Sequence, residues 1–208
     1  ESWQRLVDQI QSRGARLHAA GEIHRFHRDA SDLLARAADR RAQLAPPPPP
    51  RDLRAATALL RDHDTAENDL VAIDAQMQVL QEEGARLQKL CPGGNEQQIA
   101  IRQRALSEAW TALRSAADER RRLLHQHLKL HQFFTEVRDL ASWSSALRGE
   151  MSSSGSARSA AAAQAQRAHH DALRAEIDAR DDSFRAALAA GQALIADGHP
   201  NSQVTKLL

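Results

Sequence analysis

The decisive stretch of this chain is residues 96–148, EQQIAIRQRALSEAWTALRSAADERRRLLHQHLKLHQFFTEVRDLASWSSALR. It contains no glycine and no proline, the two residues that most readily interrupt a helix. An unbroken helix of this length would extend about 80 Å, because each residue adds about 1.5 Å. A helix that long can bury an apolar stripe only by lying alongside other helices, in a coiled coil or a bundle.

Apolar residues recur along the chain at alternating spacings of three and four, which is the heptad pattern. The first ladder consists of Ile99, Leu106, Trp110, Leu113, Ala117 and Leu124, with Gln103 and Arg120 as polar interruptions. After a phase change near His127, a second ladder continues through Phe133, Val137, Leu140, Leu147 and Met151. Residues 52–90 carry a third ladder, which includes Leu60, His63, Leu70 and Met77. The ladders predict helix-on-helix packing, whether the partner helices belong to the same chain or to another.

An internal repeat indicates that the partner helices belong to the same chain. A shift of 107 residues aligns the sequence with itself over about 80 residues without a gap. The shift pairs Trp3 with Trp110, Leu17 with Leu124, Phe26 with Phe133, His63 with His170 and Gly84 with Gly191. Most matched positions are apolar members of the ladders, as expected if each repeat builds the same core.

Clusters of proline and glycine divide each repeat into helices. The predicted breaks are residues 46–50, 91–95, 149–155 and 198–201, and the predicted helices of the first period are residues 22–44, 52–90 and 96–124. No break follows the third helix, so it must run directly into the next repeat. The sequence therefore predicts an all-α fold of tandem antiparallel three-helix coiled-coil repeats joined by continuous helical linkers.

Three domains follow from this division. Residues 1–20 are predicted to be the last helix of a preceding repeat, and residues 21–124 a complete repeat. Residues 125–208 are predicted to be the first two helices of a following repeat, whose third helix would lie beyond Leu208.

The composition excludes several classes of protein. Aromatic residues make up only 3% of the chain, and Ala and Leu dominate its hydrophobic residues, which disfavours a β-sheet fold. The net charge of +1 lacks the basic excess typical of nucleic-acid binding, and Arg120-Arg121-Arg122 is interpreted as a solvated helix face. A single cysteine, Cys91, and the lack of a long apolar run indicate a cytosolic protein without a transmembrane segment. The chain shows no signal-peptide pattern and begins without Met, which predicts a fragment of a longer protein.

Residues with catalytic chemistry occur without the pattern that catalysis needs. His127 and His131 lie four apart on one predicted helix, as zinc ligands do in some motifs, but no third ligand accompanies them. Cys91 is interpreted as a plain loop thiol, and the serines near Trp143 follow no strand that could form a nucleophile elbow. The sequence therefore predicts no enzyme activity and no catalytic, cofactor-binding or metal-binding residue.

One motif consists of Trp110, Arg120, Leu124, His131-Gln132-Phe133-Phe134 and Val137-Arg138-Asp139-Leu140-Ala141-Ser142-Trp143. This motif is the strongest part of a resemblance to the spectrin repeat family, and the resemblance covers the whole chain. Within that family the chain looks most like a β-type spectrin near its C-terminal half. The proline run and the alanine-rich second repeat depart from conventional chains and resemble a divergent heavy β relative. In the family, one core Trp comes from the first helix and one from the third; here Arg36 stands at the first-helix position of the complete repeat. We expect its guanidinium to reach solvent over an apolar stem.

The resemblance implies an elastic spacer and protein-docking surface in a cytoplasmic membrane skeleton at the cell cortex. It implies an α-spectrin-type lateral partner and an ankyrin-type partner, with actin bound through other parts of the parent chain. The alternative function is a cytosolic adaptor or motor-associated scaffold whose repeats bind a signalling or transport partner.

Two groups of residues are singled out on these grounds. The predicted structural core comprises Trp3, Phe26, Leu60, His63, Leu70, Leu106, Trp110, Leu113, Leu124, Phe133, Leu140 and Trp143. The predicted partner-docking residues are Arg25, Asp29, Asp32, Arg36, Pro46, Pro50 and Arg51. The proline run is interpreted as a stiff connector, with a ligand for a proline-recognising groove as the alternative.

Overall fold

A computed structural model of the chain describes residues 2–90, 94–153, 157–197 and 204, and the regular secondary structure of these residues is entirely helical. The helices are α1 (Ser2–Gln43), α2 (Leu53–Leu90), α3 (Gly94–Ser153) and α4 (Ala160–Ala196). The predicted all-α class is confirmed. Helix α3 contains the whole decisive stretch, and α1 passes without interruption through residue 20, where the preceding repeat was predicted to end.

Two predicted helix breaks are wrong in part, because Gly94, Asn95 and residues 149–153 are helical. Helix α3 continues through Gly149 and ends at Ser153, because a single glycine weakens a helix by only about 1 kcal/mol. Gly14 and Gly21 are likewise helical, within α1. The rest of the breaks predicted at residues 91–95 and 149–155, namely residues 91–93 and 154–155, lies outside the described residues, as does the whole break predicted at residues 198–201.

The chain divides into two compact units. The first consists of Glu1–Pro48 with Leu59–Leu123, and the second of Pro49–Ala58 with Leu124–Leu208. Residues 49–58 thus belong to the second unit, although the sequence placed them in the complete repeat. The reason is local packing: Leu53 borders the same shallow groove as Leu140, and His131 Nε2 lies 3.0 Å from the carbonyl oxygen of Pro50.

Polar contacts give the helix directions in the first unit. Between α1 and α2, the contacts are Glu22–Arg86 at 3.1 Å, Arg36–Gln76 at 2.6 Å and Arg40–Asp69 at 3.1 Å. Between α2 and α3, they are Asp64–Arg121 at 3.3 Å and Gln88–Gln103 at 2.8 Å. In both pairs the residue numbers rise on one helix as they fall on the other. The three helices are therefore antiparallel in sequence order, as predicted.

The core of the first unit consists of the ladder residues. Its buried members are Ile23, Phe26, Ala30, Leu33, Ala37 and Leu44 of α1 and its end, Leu70, Ile73, Met77, Leu80 and Leu87 of α2, and Ile99, Leu106, Leu113 and Ala117 of α3. Burial of such side chains contributes most of the stability of a helical bundle, because short apolar contacts replace contacts with water. The spacing of three and four places them all on the inward stripe.

Four predicted core residues do not lie fully inside. Leu60, Trp110 and Trp143 are half-buried, and Trp110 packs against the edge of the first unit's core. Trp3 was wrongly assigned to a core, since its side chain is 74% exposed. Trp3 corresponds to Trp110 in the internal repeat, but no described helix lies over residues 2–17, so its apolar stripe remains open to solvent.

The second unit buries fewer residues. Leu130 and Phe133 of α3 cluster with Leu194 of α4 and with Val204, and Leu140, Leu147 and Leu173 are also buried. Helix α4 leaves Ile177, Phe184, Leu188 and Ile195 exposed. Ile177 and Phe184 correspond to the buried Leu70 and Met77 of the first unit. They are exposed because the described residues supply no third helix to this unit.

A close approach of α2 and α3 explains one polar interruption of the ladder. Gln103 Nε2 donates to the carbonyl oxygen of Gln81 at 2.7 Å, and Gln81 Nε2 returns a bond to the carbonyl oxygen of Gln103 at 2.9 Å. The Gln103 side chain passes over Gly84, where an added Cβ would lie 2.6 Å from Nε2. Gly84 therefore makes room for the amide that joins the two helices.

This contact predicts that Gly84→Ala lowers the free energy of unfolding when Gln103 is present and raises it when the Gln103 side chain is removed. In the natural chain the substitution should destabilise by about 1–2 kcal/mol, since it displaces an amide with two part-buried hydrogen bonds and gains only about 1 kcal/mol of helix propensity. In a Gln103→Ala background the same change should stabilise the unit. Urea unfolding of the four chains in a double-mutant cycle measures the coupling.

The matched control is Gly14→Ala. Gly14 is helical, and a Cβ added there would have nothing within 4 Å, so this change should stabilise α1 in either background. Additive effects at Gly84 and Gln103 would contradict the proposed contact.

Candidate functional site

A surface groove between α1 and α2 brings together three of the predicted docking residues. Asp29, Asp32 and Arg36 lie on its α1 side, over a floor that includes Leu33. The α2 side consists of Ala75, Gln76, Val79, Leu80 and Glu83, and the groove has a volume of about 450 Å³. We call this surface the α1–α2 groove. Arg25 is exposed on α1 but is not part of it, and Pro46, Pro50 and Arg51 lie in a different segment.

The α1–α2 groove combines acidic and apolar groups. Asp32 is exposed, Glu83 is half-buried, and Asp29 accepts hydrogen bonds from the neighbouring Arg28 at 3.0 and 3.1 Å. Val79 is 62% exposed beside these carboxylates. Such a surface can hold an aliphatic side chain while attracting a basic one. The sequence signal for its α2 side was Val79 itself, a valine outside the heptad ladder.

Arg36 closes one end of the groove. Its Nη1 donates to Oε1 of Gln76 at 2.6 Å, and the residue is exposed. The guanidinium therefore reaches the surface, as expected for an arginine at a core-edge position.

The segment that contains Pro46, Pro50 and Arg51 connects α1 to α2. Residues 46–50 have no regular secondary structure, and Arg51 is exposed. Asp52 caps the N-terminus of α2, since its Oδ1 accepts a hydrogen bond from the backbone N–H of Ala55 at 2.7 Å. This is the N-cap arrangement that Asp favours, because it satisfies a helix N–H that lacks a backbone partner.

Arg120 holds the C-terminal end of α1. Its Nη1 donates to the carbonyl oxygens of Gln43 at 3.1 Å and Ala45 at 2.8 Å. The last carbonyls of a helix lack intrahelical donors and carry a partial negative charge, so a cation placed there is favourable. Sequence reasoning classed Arg120 as a polar interruption and missed this role, because its two acceptors lie 77 and 75 residues away along the chain.

Arg121 joins α3 to α2 through two carboxylates, one of which also contacts a buried histidine. It pairs with Asp64 at 3.3 Å and with Glu67, and Glu67 Oε1 lies 3.0 Å from Nε2 of the buried His63. His63 therefore bonds to Glu67 within its own helix, and Glu67 in turn pairs with Arg121 of α3. His170, its counterpart in the repeat, is exposed.

Arg122 pairs with Glu119 on its own helix, with hydrogen bonds of 2.7 and 2.8 Å. These bonds hold the pKa of Glu119 below its usual value and raise the pKa of Arg122. All three arginines of the basic run thus have intramolecular partners. Phosphate binding would have to compete with these contacts, which favours the interpretation of a structural helix face.

Trp143 anchors the contact between α3 and α4 in the second unit. Its ring lies 4.7 Å from the guanidinium carbon of Arg180 and 5.9 Å from the ring of Phe184. Its Nε1 donates to Oε1 of Glu176 at 2.7 Å. A cation over the ring face and a bonded indole N–H are the usual partners of a tryptophan at the edge of a core.

The predicted histidine pair contributes to packing. His131 bonds the carbonyl oxygen of Pro50 and stacks edge-on against Phe134, with ring centroids 6.4 Å apart. Over the ranges that the structure describes, His, Cys, Asp and Glu side chains nowhere gather in threes around a possible metal position. Across the same ranges, none of the helices has the apolar length that a bilayer crossing requires. Cys91 lies outside the described residues.

His27 is a histidine whose protonation the fold disfavours. Burial lowers its pKa below the ordinary value, and the positive charge of Arg102 and the neighbouring His24 act in the same direction. Neutral His27 is therefore favoured in the folded unit relative to the unfolded chain.

These features define a class of protein: a tandem array of helical units that share a helix. A model of the spectrin repeat family matches residues 21–126 and 128–207. The chain therefore belongs to the spectrin repeat family.

The chain is similar to several β-spectrins. It is 34% identical over 208 residues to human "Spectrin beta chain, non-erythrocytic 5", which covers 100% of this chain and 6% of that protein. It is 32% identical over 199 residues to the Drosophila melanogaster "Spectrin beta chain", covering 96% of this chain and 9% of the relative. Human "Spectrin beta chain, non-erythrocytic 4" is 27% identical over 198 residues, which cover 94% of this chain and 8% of that protein. The chain thus spans less than a tenth of the length of these relatives.

The contact at the end of α1 predicts that Arg120→Met destabilises the first unit. The methionine keeps an apolar stem but loses both charged hydrogen bonds, and we expect a cost of about 1–3 kcal/mol. Amide hydrogen exchange should also accelerate at Leu44, whose N–H bonds to the last turn of α1. Arg114→Met, at an exposed position on the same helix, is the control and should change neither measurement. Unchanged exchange at Leu44 in the Arg120 variant would contradict the capping role.

The lowered pKa of His27 predicts a pH dependence of stability. The unfolded chain binds a proton at His27 more readily than the folded unit does. The contribution of neutral His27 to the free energy of unfolding is therefore fully present above about pH 6.5 and is lost as the pH falls below that value. His27→Gln should therefore lose less stability than the natural chain between neutral and mildly acidic pH. His125→Gln, at an exposed position, is the control. Urea midpoints across this range measure the difference, and parallel curves for His27→Gln and the natural chain would refute it.

Proposed function

We propose that this chain is a structural segment of a β-spectrin-type membrane-skeleton protein, in which it acts as an elastic spacer and a protein-docking surface. The proposal places it in the cytoplasm, in the cytoskeleton beneath the membrane. Actin would be bound by other parts of the parent chain. The observation that carries the proposal is helix α3, which contributes residues to the core of both units.

The spacer role rests on the continuity of α3. Ile99, Leu106 and Leu113 are buried in the first unit, and Phe133 and Leu140 in the second. No proline lies between them, so every residue of this stretch can donate a helix hydrogen bond. Tension on one unit is therefore transmitted to the other through backbone hydrogen bonds. Unfolding of either unit should weaken the shared helix and hence its neighbour.

The docking role rests on the α1–α2 groove. Its three carboxylates and the exposed Val79 suit a protein partner that offers basic and aliphatic side chains. An ankyrin-type partner and a lateral α-spectrin-type chain are the partners we propose, because the chain resembles β-spectrins along its whole length. The mixed surface charges of the helices suit a lateral helical partner, whose register would depend on complementary charge pairs.

The spacer proposal predicts that Gln126→Pro uncouples the two units. A proline within α3 removes a backbone hydrogen bond and clashes with the preceding turn, at a cost of about 3 kcal/mol or more. Hydrogen exchange in increasing urea reports separately on residues 106–113 and residues 140–147. The natural chain should show one common midpoint for both segments, and Gln126→Pro should separate them.

Two controls accompany this experiment. Gln126→Ala keeps the helix and should leave the midpoint common. Ala19→Pro places the same change at the matching position of the internal repeat, within α1 and before the first core residue, Ile23. It should leave the two segments coupled. Separate midpoints already present in the natural chain would disprove transmission through α3.

A further inference from the structure

The segment between α1 and α2 is five consecutive prolines, Pro46–Pro50, followed by Arg51. Each proline fixes its own φ near −65°, and each of the first four is also confined by the proline after it to an extended ψ of about +120 to +160°. These values together define the polyproline II helix, a three-sided rod with three residues per turn. The covalent chemistry of the segment therefore imposes this conformation.

The burial of the segment follows the same period of three. Pro47 and Pro50 are half-buried, so one edge of the rod rests on the protein. Pro46 and Pro49 form a second edge, and Pro48 and Arg51 a third. All four of these residues are exposed. The rod thus presents two complete edges to solvent, with a cation at the end of one of them.

The rod is held at both ends. Arg120 donates to the carbonyl oxygen of Ala45 at 2.8 Å, just before the first proline. His131 lies 3.0 Å from the carbonyl oxygen of Pro50, which has no donor of its own and accepts the bond. Asp52 then caps the N-terminus of α2. A segment so restrained loses little conformational freedom when a partner binds, which lowers the entropic cost of association.

We propose that Pro46–Arg51 is a docking site for a protein domain with an aromatic-lined, polyproline-binding groove of the SH3 type. The exposed edge Pro46/Pro49 has the PxxP spacing that fills two adjacent aromatic pockets of such a groove. Arg51 supplies a guanidinium that pairs with a carboxylate at the rim of the groove.

A connector alone would not require this arrangement. Antiparallel helices are usually joined by short loops in which Gly, Asn, Asp and a single Pro satisfy the turn. A proline on any edge of the rod would stiffen the connector to the same extent. The connector interpretation therefore treats all five prolines alike, whereas the docking proposal assigns binding to Pro46, Pro49 and Arg51, and this difference can be measured.

The experiment titrates the whole chain into an isotope-labelled SH3 domain selective for PxxP ligands that carry an arginine, followed by NMR. Shifts confined to the aromatic groove of the SH3 domain are the expected result. The double substitution Pro46→Ala with Pro49→Ala should weaken binding by about tenfold or more, as expected when two anchor residues of an interface are lost. Arg51→Glu should weaken it as well, and more so at low salt.

Matched variants separate recognition from rigidity. Pro47→Ala with Pro50→Ala removes the same number of prolines from the edge that faces the protein, and its affinity should stay within about threefold of the natural chain. Arg54→Glu reverses an exposed charge one helical turn away and should have little effect. Circular dichroism of every variant confirms that the helices remain folded.

Three results would overturn the proposal. The first is the absence of groove shifts at chain concentrations up to about 1 mM. The second is equal weakening by the two proline pairs, which would mean that rigidity alone matters. The third is stronger binding to a WW domain than to the SH3 domain with no effect of Arg51→Glu, which would remove the assigned role of the arginine.

Discussion

Burial of the heptad ladders is the constraint on which the rest of this structure depends. Helix α3 can hide its apolar stripe only against other helices, and α1 and α2 supply them in the first unit. Because α3 continues past Leu124 with a second ladder, the same helix must also serve the second unit. A shared helix is therefore the direct consequence of two apolar patterns without an intervening breaker, and the mechanical coupling we propose follows from it.

The polar residues on the ladders give this packing its particular register. Apolar contacts do little to distinguish one register of a coiled coil from the next, whereas hydrogen bonds have fixed lengths and partners. Gln103 bonds across Gly84 to α2, and Arg120 bonds the end of α1. Each of these side chains forms contacts that a shift of one helical turn would break. They specify how the helices align, while the apolar residues supply most of the stability.

The two surfaces that we propose as docking sites consist of residues that do not take part in core packing. On α1 and α2 the outward residues form a groove with three carboxylates and the exposed Val79. Between the same helices, the proline rod rests on the protein along one edge and exposes two others. The two surfaces differ in chemistry, since the groove attracts basic groups and the rod offers proline rings with a single arginine. The two docking roles that we propose therefore concern different classes of partner, and neither requires a change in the core.

The sequence by itself determined the helical class, the period of 107 residues and the unbroken helix through residues 96–148, because all three depend on local spacing and on the positions of Gly and Pro. Residues such as Phe26, Leu113 and Phe133 were identifiable as inward-facing for the same reason. Only the tertiary structure decided the exposure of Trp3, the partial burial of Trp110, the membership of residues 49–58 in the second unit and the capping role of Arg120. Each of these depends on which distant segment lies against the residue. Heptad spacing gives the direction in which a side chain points along its own helix, but the position of the helix that receives it is settled only when the bundle forms.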